Sequence, residues 1–256
     1  MEILGQPVSR MHIWALILLP AVAVLSSYTL GVFPLPLIIA AVFAALLDIA
    51  IREYCLRQKP KLPLSSLITG LIIGSVAPIN APIQMVLVAV AAAIVSKFAI
   101  RYRSSNVFNP AAFGLAIGLV VFGLGDEWWA ASSYGVYGLA IPIAVVLVVL
   151  AYEARRLTTA ASFIAASLAF AVAFGGLSSL SLASAVALVF GVNYYFAFVM
   201  LVEPRTSPYG VRTQAAYGVA LAAIYLGFAY LKIPHTPLLA LLAGNVIYLV
   251  YRAYIR

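Results

Sequence analysis

Apolar runs of fifteen to twenty-odd residues follow one another along almost the whole chain. A helix needs about 20 predominantly apolar residues to cross the roughly 30 Å hydrocarbon core of a bilayer. Hydrophobic residues make up 65% of the 256 residues and charged residues only 9%, whereas soluble domains are about 45 to 50% apolar. The pattern therefore predicts an all-α integral membrane protein with no separate soluble domain.

Breaker residues divide this apolar sequence into ten segments. They are predicted near residues 11–30, 34–52, 63–77, 82–100, 109–123, 136–152, 158–175, 182–202, 214–231 and 237–251. Segments three and five hold only about fifteen residues, which is roughly 22 Å of helix and less than the hydrocarbon core. Short helices at matching places in two halves of a membrane protein indicate a site near the middle of the bilayer.

The basic residues predict the orientation of these segments, because Lys and Arg concentrate in cytoplasmic loops. With the N-terminus inside, Lys232 alone of the 15 basic residues falls outside. The others fall inside: Arg10, Arg52, Arg57, Lys59, Lys61, Lys97, Arg101, Arg103, Arg155, Arg156, Arg205, Arg212, Arg252 and Arg256. We therefore expect a multi-pass protein of the cell membrane with both termini in the cytoplasm.

An internal repeat divides the chain into two halves, 1–126 and 127–256. The pattern P-x-x-x-P ends segment three at residues 78–82 and segment eight at residues 204–208, 126 residues later. Segments five and ten also match in their opening residues and in one glycine: Asn109-Pro110 with Gly118, and Thr236-Pro237 with Gly244. Five segments, an odd number, separate the matching elements, so these elements lie on opposite sides of the membrane. The two repeats are therefore predicted to be inverted. The alternative is that prolines simply cluster at helix ends.

Composition and motifs exclude several other classes of function. The net charge of +8 is typical of cytoplasmic loops that face anionic lipid, and no soluble face exists to hold nucleic acid. The single cysteine, Cys55, excludes an internal disulfide and a multi-cysteine metal cluster. Glycine-rich phosphate loops and Ser/His/Asp patterns are missing, so the chain is not expected to be catalytic alone.

Three stretches resemble the RnfD/NqrB family of membrane subunits, found in ion-pumping ferredoxin:NAD and NADH:quinone oxidoreductases. They are residues 64–78 (LSSLITGLIIGSVAP), 106–114 (NVFNPAAFG) and 196–208 (FAFVMLVEPRTSP). The resemblance implies two inverted five-helix repeats, flavin-dependent electron transport with possible Na⁺ or H⁺ translocation, and partner redox subunits such as a flavoprotein or an iron–sulfur protein.

One departure from the family concerns its covalent flavin. Family members esterify FMN to a threonine in the long external loop after segment five, but here residues 124–135 contain no threonine. The chain resembles a short form that lacks this attachment site, so a flavin, riboflavin or FMN, is expected to bind non-covalently. Glu203 also stands where the family usually has aspartate, which keeps the charge and lengthens the side chain.

The family's N-x-F-N-P-A loop holds the leading candidates for the flavin site, Asn106, Asn109 and Pro110. Their amides lie beside a helix N-terminus, whose free N–H groups suit an electron-rich ligand. The alternative is that Asn109 merely caps segment five and Asn106 closes a turn. On segment three, Ser66, Thr69 and Gly70 are small enough for a flat ring to lie close, or for two helices to pack closely.

Asp48 and Glu203 are candidates for an ion or proton path, because ionisable residues at membrane depth are costly and are often functional. Asp48 precedes Arg52 by four residues, so the alternative is an ion pair one helical turn long. Glu203 could instead pair with Arg205 or Arg212, or help to bind a partner protein.

Two functions remain open at this stage. The first is a membrane electron-transfer subunit that holds a non-covalent flavin between the repeats. The second is a channel or carrier for a small neutral solute, such as urea or a flavin precursor, on the same inverted-repeat scaffold. Fold alone does not distinguish them.

Reporter fusions test the predicted orientation. A fusion at Arg256 should report the cytoplasm and a fusion at Gly125 the opposite side, because an odd number of crossings separates these positions. If both fusions report the same side, the number of segments is wrong.

Overall fold

A computed structural model describes residues 2–3, 6–59, 61–130, 140–175 and 193–254. The α-helices in these ranges are α1 (Arg10–Leu30), α2 (Leu35–Ala50), α3 (Leu64–Val76), α4 (Ile83–Ala99), α5 (Pro110–Phe122), α6 (Ala140–Glu153), α7 (Leu157–Gly175), α8 (Val211–Tyr230) and α9 (Thr236–Tyr254). Two π-helical turns cover Ile51–Cys55, which continues α2, and Phe196–Met200. Two short hairpins pair β1 (Glu2–Ile3) with β2 (Gln6–Pro7), and β3 (Arg101–Tyr102) with β4 (Ser105–Asn106).

The helix bounds agree with the predicted segments to within a few residues wherever both are described. Segment eight is described only from residue 193, and its earlier part lies outside the described residues. Three of the described helices are long and apolar enough to cross a membrane: Arg10–Leu30, Leu35–Cys55 and Thr236–Tyr254. Together with large exposed apolar side chains such as Ile17, Val24 and Leu46, these helices indicate a helical membrane protein.

The predicted short helices are short in the structure as well. Helices α3 and α5 each have 13 residues, which corresponds to about 20 Å of helix. Pro63 precedes α3, and α5 starts at Pro110 and ends before Gly123, whose φ of +64° is the left-handed conformation that glycine adopts most easily. Both ends of α5 are therefore determined by local sequence.

Small residues let the helices pack at backbone distance. A Cβ atom on Gly70 would lie 2.3 Å from the Ala40 carbonyl oxygen of α2, and one on Gly114 would lie 2.1 Å from the Ala89 carbonyl oxygen of α4. Close approach of this kind is how helices associate where lipid surrounds them, since burial of apolar surface gives little driving force there. Helix α3 packs against α2, and α5 against α4.

Two helix pairs join the N-terminal and C-terminal halves of the chain. Helix α1 packs against α6, and α5 packs against α9. The loop after α5 folds back over the end of α3, where the Trp129 indole donates a hydrogen bond of 2.8 Å to the Gly74 carbonyl oxygen. Further along, the Ser26 hydroxyl donates 2.7 Å to the Ala130 carbonyl oxygen. The loop after α5 therefore closes one end of the contact between the halves.

Substitution of Gly70 by alanine tests the close packing of α2 and α3. The new methyl group meets backbone atoms that cannot rotate away, so Gly70→Ala should lower stability by about 1 to 3 kcal/mol. The matched control is Gly227→Ala in α8, where no described atom outside the neighbouring backbone of the same helix lies within 4 Å of the added Cβ. There the better helix propensity of alanine should leave the thermal unfolding midpoint in detergent unchanged or raised. Equal effects of the two substitutions would contradict the packing.

Candidate functional site

A cavity lies between the two halves of the chain, with a volume of about 80 Å³. Its wall combines α1, α3, the start of α5, the end of α6, the second π-helical turn and the stretch after that turn. Polar groups on this wall come from His12, Ser65, Thr69, Asn109 and Glu203. The structure thus brings together Thr69, Asn109, Pro110 and Glu203 from the residues that the sequence predicted, and it adds His12 and Ser65.

Asn109 caps α5, which the sequence left open as the alternative to a ligand contact. Its Oδ1 accepts a hydrogen bond of 3.0 Å from the Ala112 N–H, and Pro110 follows as the first helical residue. The side-chain amide also donates a hydrogen bond of 2.9 Å to the carbonyl oxygen of Met200, which ends the second π-helical turn. The capping residue therefore ties the two halves together beside the cavity and keeps one amide hydrogen unassigned.

Asn245 on α9 completes this connection and was not singled out from the sequence. Its Oδ1 accepts a hydrogen bond of 2.8 Å from the Asn109 N–H, and its amide donates to the Thr206 carbonyl oxygen at 3.3 Å and the Tyr217 hydroxyl at 3.2 Å. The residue is 0% exposed. The sequence feature that could have indicated Asn245 is its polar amide inside an apolar segment, because a polar group buried in a membrane needs a partner.

Asp48 lies in a buried polar cluster between α2, α3 and α4. Its carboxylate accepts a hydrogen bond of 2.7 Å from the Arg52 guanidinium, so the predicted pair one turn apart is present. The Ser66 hydroxyl donates a second hydrogen bond, of 2.9 Å, to the same carboxylate. Asp48 and Ser66 are only 1% exposed and do not line the cavity.

Lys97 joins this cluster to the cavity wall. Its ammonium donates hydrogen bonds to Ser66 at 2.9 Å, Ser65 at 3.0 Å and Thr69 at 3.4 Å. Sequence reasoning counted Lys97 only among the cytoplasmic basic residues, because it lies near the end of segment four. The structure instead turns it inward, where it is buried.

Glu203 lies in the loop that follows the second π-helical turn, and it lines the cavity. Burial away from water raises the pKa of the Glu203 carboxyl above its ordinary value, and the positive charges of Lys97 and Arg205 oppose this rise. Within the described residues it forms no ion pair with Arg205 or Arg212. Instead, the Thr206 hydroxyl donates 3.4 Å to the carboxylate.

Asn106 and Gly70 lie away from the cavity wall. Asn106 is 2% exposed, and its side-chain amide has no hydrogen-bond partner among the described residues. A buried amide without a partner is costly, so Asn106 stays a candidate for contact with a ligand. Gly70 instead faces the backbone of α2 and serves the close packing of the helices.

The chemistry available at the cavity is hydrogen bonding and charge. The wall presents hydroxyl groups, an imidazole, a carboxyl and a helix N-terminus to one small space. The Lys97 ammonium lies behind this wall, where it donates a hydrogen bond to Ser65. Across the described ranges, no group of three or more His, Cys, Asp or Glu side chains could hold a metal ion.

A family model, described as the NQR2, RnfD, RnfE family, matches residues 4–136. This match covers more than half of the 256 residues. The chain belongs to this family. No curated protein matches the chain. The matched range includes two of the three stretches whose resemblance was noted, residues 64–78 and 106–114, and both border the cavity. It also spans the loop of residues 124–135, of which residues 131–135 lie outside the described residues.

Family membership supports the assignment as a membrane subunit of the Rnf and Nqr type, in agreement with the apolar helices. Residues 137–256 lie beyond the match, yet this part of the chain supplies Glu203, Phe198 and Asn245 to the cavity and its surroundings. The family motif at the start of α5 thus meets residues that the family match does not cover.

Two substitutions of Asn109 separate its cap from its contact with the other half. Asn109→Ser keeps a capping oxygen and loses the bond to Met200, for an expected cost of about 0.5 to 1.5 kcal/mol. Asn109→Ala loses the cap as well, for a further cost of about 0.5 to 2 kcal/mol. Unfolding midpoints in detergent should therefore fall in the order parent, Ser variant, Ala variant. Equal midpoints for the two variants would show that the cap contributes nothing.

Proposed function

We propose that this chain is the membrane subunit of an Rnf- or Nqr-type electron-transport complex, and that it holds a non-covalent flavin at the cavity between its halves. The family match carries the proposal. Electrons would pass between partner redox subunits, such as a flavoprotein or an iron–sulfur protein, because the described residues form apolar helices and offer no soluble fold that could oxidise NADH or ferredoxin. Coupling to Na⁺ or H⁺ movement is part of the same proposal.

The polar groups at the cavity suit the edge of an isoalloxazine ring. Asn109 keeps one amide hydrogen for a ring carbonyl, and Ser65 and Thr69 offer hydroxyl groups on the facing helix. A bound flavin would supply the redox chemistry, and these residues would orient it. The cavity of 80 Å³ is smaller than the roughly 300 to 1,000 Å³ of typical ligand pockets. A whole ring therefore requires Met11, His12 or Phe198 to move aside.

We propose a topology of ten segments, in which the halves 1–126 and 127–256 are inverted repeats. The packing pattern supports it: α2 packs on α4 and α4 on α5, and in the other half α7 packs on α8 and α8 on α9. Helix α1 touches α3, and α6 touches the second π-helical turn. The halves meet through α1 with α6 and α5 with α9, which are the pairs that a two-fold axis between the repeats would bring together.

The matched glycines give the proposed repeat a local test. A Cβ on Gly118 of α5 would lie 2.8 Å from the Ala89 Cβ of α4, and one on Gly244 of α9 would lie 3.0 Å from the Leu221 side chain of α8. Both glycines therefore sit where the fifth helix of a repeat crosses the fourth. These equivalent contacts support the repeat over a coincidence of prolines at helix ends.

For an ion or proton path, Glu203 is better placed than Asp48. Glu203 borders the cavity, whereas Asp48 is held by Arg52 and Ser66. The proposed orientation puts both termini in the cytoplasm, with the basic loops against anionic lipid or an acidic partner surface.

A carrier for a small neutral solute is the second candidate, and the size of the cavity favours it. A space of 80 Å³ between two halves holds a molecule of a few heavy atoms without any rearrangement. Hydroxyl and amide groups on its wall would replace the water around such a solute.

An absorbance spectrum of the detergent-purified chain distinguishes the two functions. Flavin bands that survive washing and leave on denaturation are expected, with no fluorescent band on denaturing gels under ultraviolet light. Thr69→Val, which changes the cavity wall, should lower the flavin content per folded protein, with Lys61→Ala, an exposed residue, as the control. Asn106→Ala should lower the flavin content only if the bound flavin extends beyond the cavity to the buried Asn106 amide. A colourless folded preparation would favour the carrier, and a fluorescent band would reveal a covalent site.

A further inference from the structure

The ammonium of Lys97 is surrounded in the way that a bound monovalent cation would be. It donates to three hydroxyl oxygens, those of Ser65, Ser66 and Thr69, at distances from 2.9 to 3.4 Å. An ammonium has three hydrogens to donate, so each has an acceptor. The three acceptors lie on one face of the first turns of α3.

Two of these hydroxyl groups direct their own hydrogens away from Lys97. Ser66 donates to the Asp48 carboxylate at 2.9 Å, and Thr69 donates to the Ser65 carbonyl oxygen at 2.9 Å. Their lone pairs are therefore left to face the ammonium. Oxygen lone pairs that converge on one point are the defining feature of a site for a hard cation.

The surrounding charges also fit a cation. The Asp48 and Glu203 carboxylates attract the ammonium, while Arg52 and Arg205 repel it. The N-terminal end of α3 carries partial positive charge and disfavours a cation. The carboxylates are therefore needed to offset both the helix end and the loss of water around the ammonium.

We propose that Lys97 is a tethered cation, which occupies a built-in monovalent cation site formed by the Ser65, Ser66 and Thr69 hydroxyl groups. Since Ser65 and Thr69 also line the cavity, the site is one wall of the space between the halves. A covalently attached cation cannot dissociate. The cavity therefore keeps a fixed positive charge beside it without any requirement for a dissolved ion at this point.

Truncation of Lys97 should convert the site into one that binds a dissolved cation. Lys97→Ala removes the ammonium and leaves its space, the three hydroxyl oxygens and both carboxylates. A ligand that binds only the folded state stabilises it increasingly as its concentration rises. Ammonium matches the lost group most closely, so ammonium chloride is the probe, with potassium and sodium chloride beside it.

Thermal unfolding in detergent is measured at a common ionic strength of about 0.1 M, where the screening length is about 10 Å. N-methylglucamine chloride, whose cation is too large for the site, serves as the baseline salt. For Lys97→Ala the midpoint should be at least about 2 to 4 °C higher in ammonium than in the baseline salt. The parent protein and Lys61→Ala, which loses an exposed lysine, should show no such difference.

Two further variants protect the test against a failure to fold. Lys97→Met fills the space without a charge, so it should be less stable than the parent and unresponsive to ammonium. Lys97→Ala combined with Ser66→Ala should lose the ammonium response. If Lys97→Ala responds equally to all the salts, or fails to fold in ammonium while Lys97→Met folds, the proposal is wrong and Lys97 is only a satisfied buried lysine.

Discussion

The hydrogen bond from the Asn109 backbone to the Asn245 side chain connects the two halves in the interior of the protein, where both residues are buried. A polar group buried among apolar helices must find a protein partner, because hydrocarbon provides none. Asn109 satisfies its own helix, the Met200 carbonyl and Asn245 together. The short helix α5 can therefore begin inside the protein, and its N-terminus faces a cavity between the halves rather than lipid.

The same requirement explains the cluster around Lys97. Burial of an ammonium in an apolar bundle is costly unless its N–H groups find acceptors and its charge is offset by nearby carboxylates. Three hydroxyl groups meet its three hydrogens, and Asp48 is held in turn by Ser66 and Arg52. Ser65 and Thr69 of α3 thus have two roles, since they accept hydrogen bonds from Lys97 and also line the cavity.

Two observations favour different functions: membership in the NQR2, RnfD, RnfE family and the small size of the cavity. The family supports an electron-transport subunit, whereas a space of 80 Å³ is too small for a whole flavin ring without movement of its walls. Met11, His12 and Phe198 are the side chains whose movement would enlarge it.

Sequence by itself determined the membrane class, the bounds of the described helices and the short helices α3 and α5, and it offered the Asn109 cap and the Asp48–Arg52 pair as local alternatives that the structure then showed. Each of these depends on residues within a few positions of one another, so local pattern is sufficient. Only the tertiary structure decided that Lys97 turns toward α3 and that Asn245 reaches Asn109. Those contacts join residues 28 to 136 positions apart, and no short-range pattern reports which distant polar groups will satisfy one another.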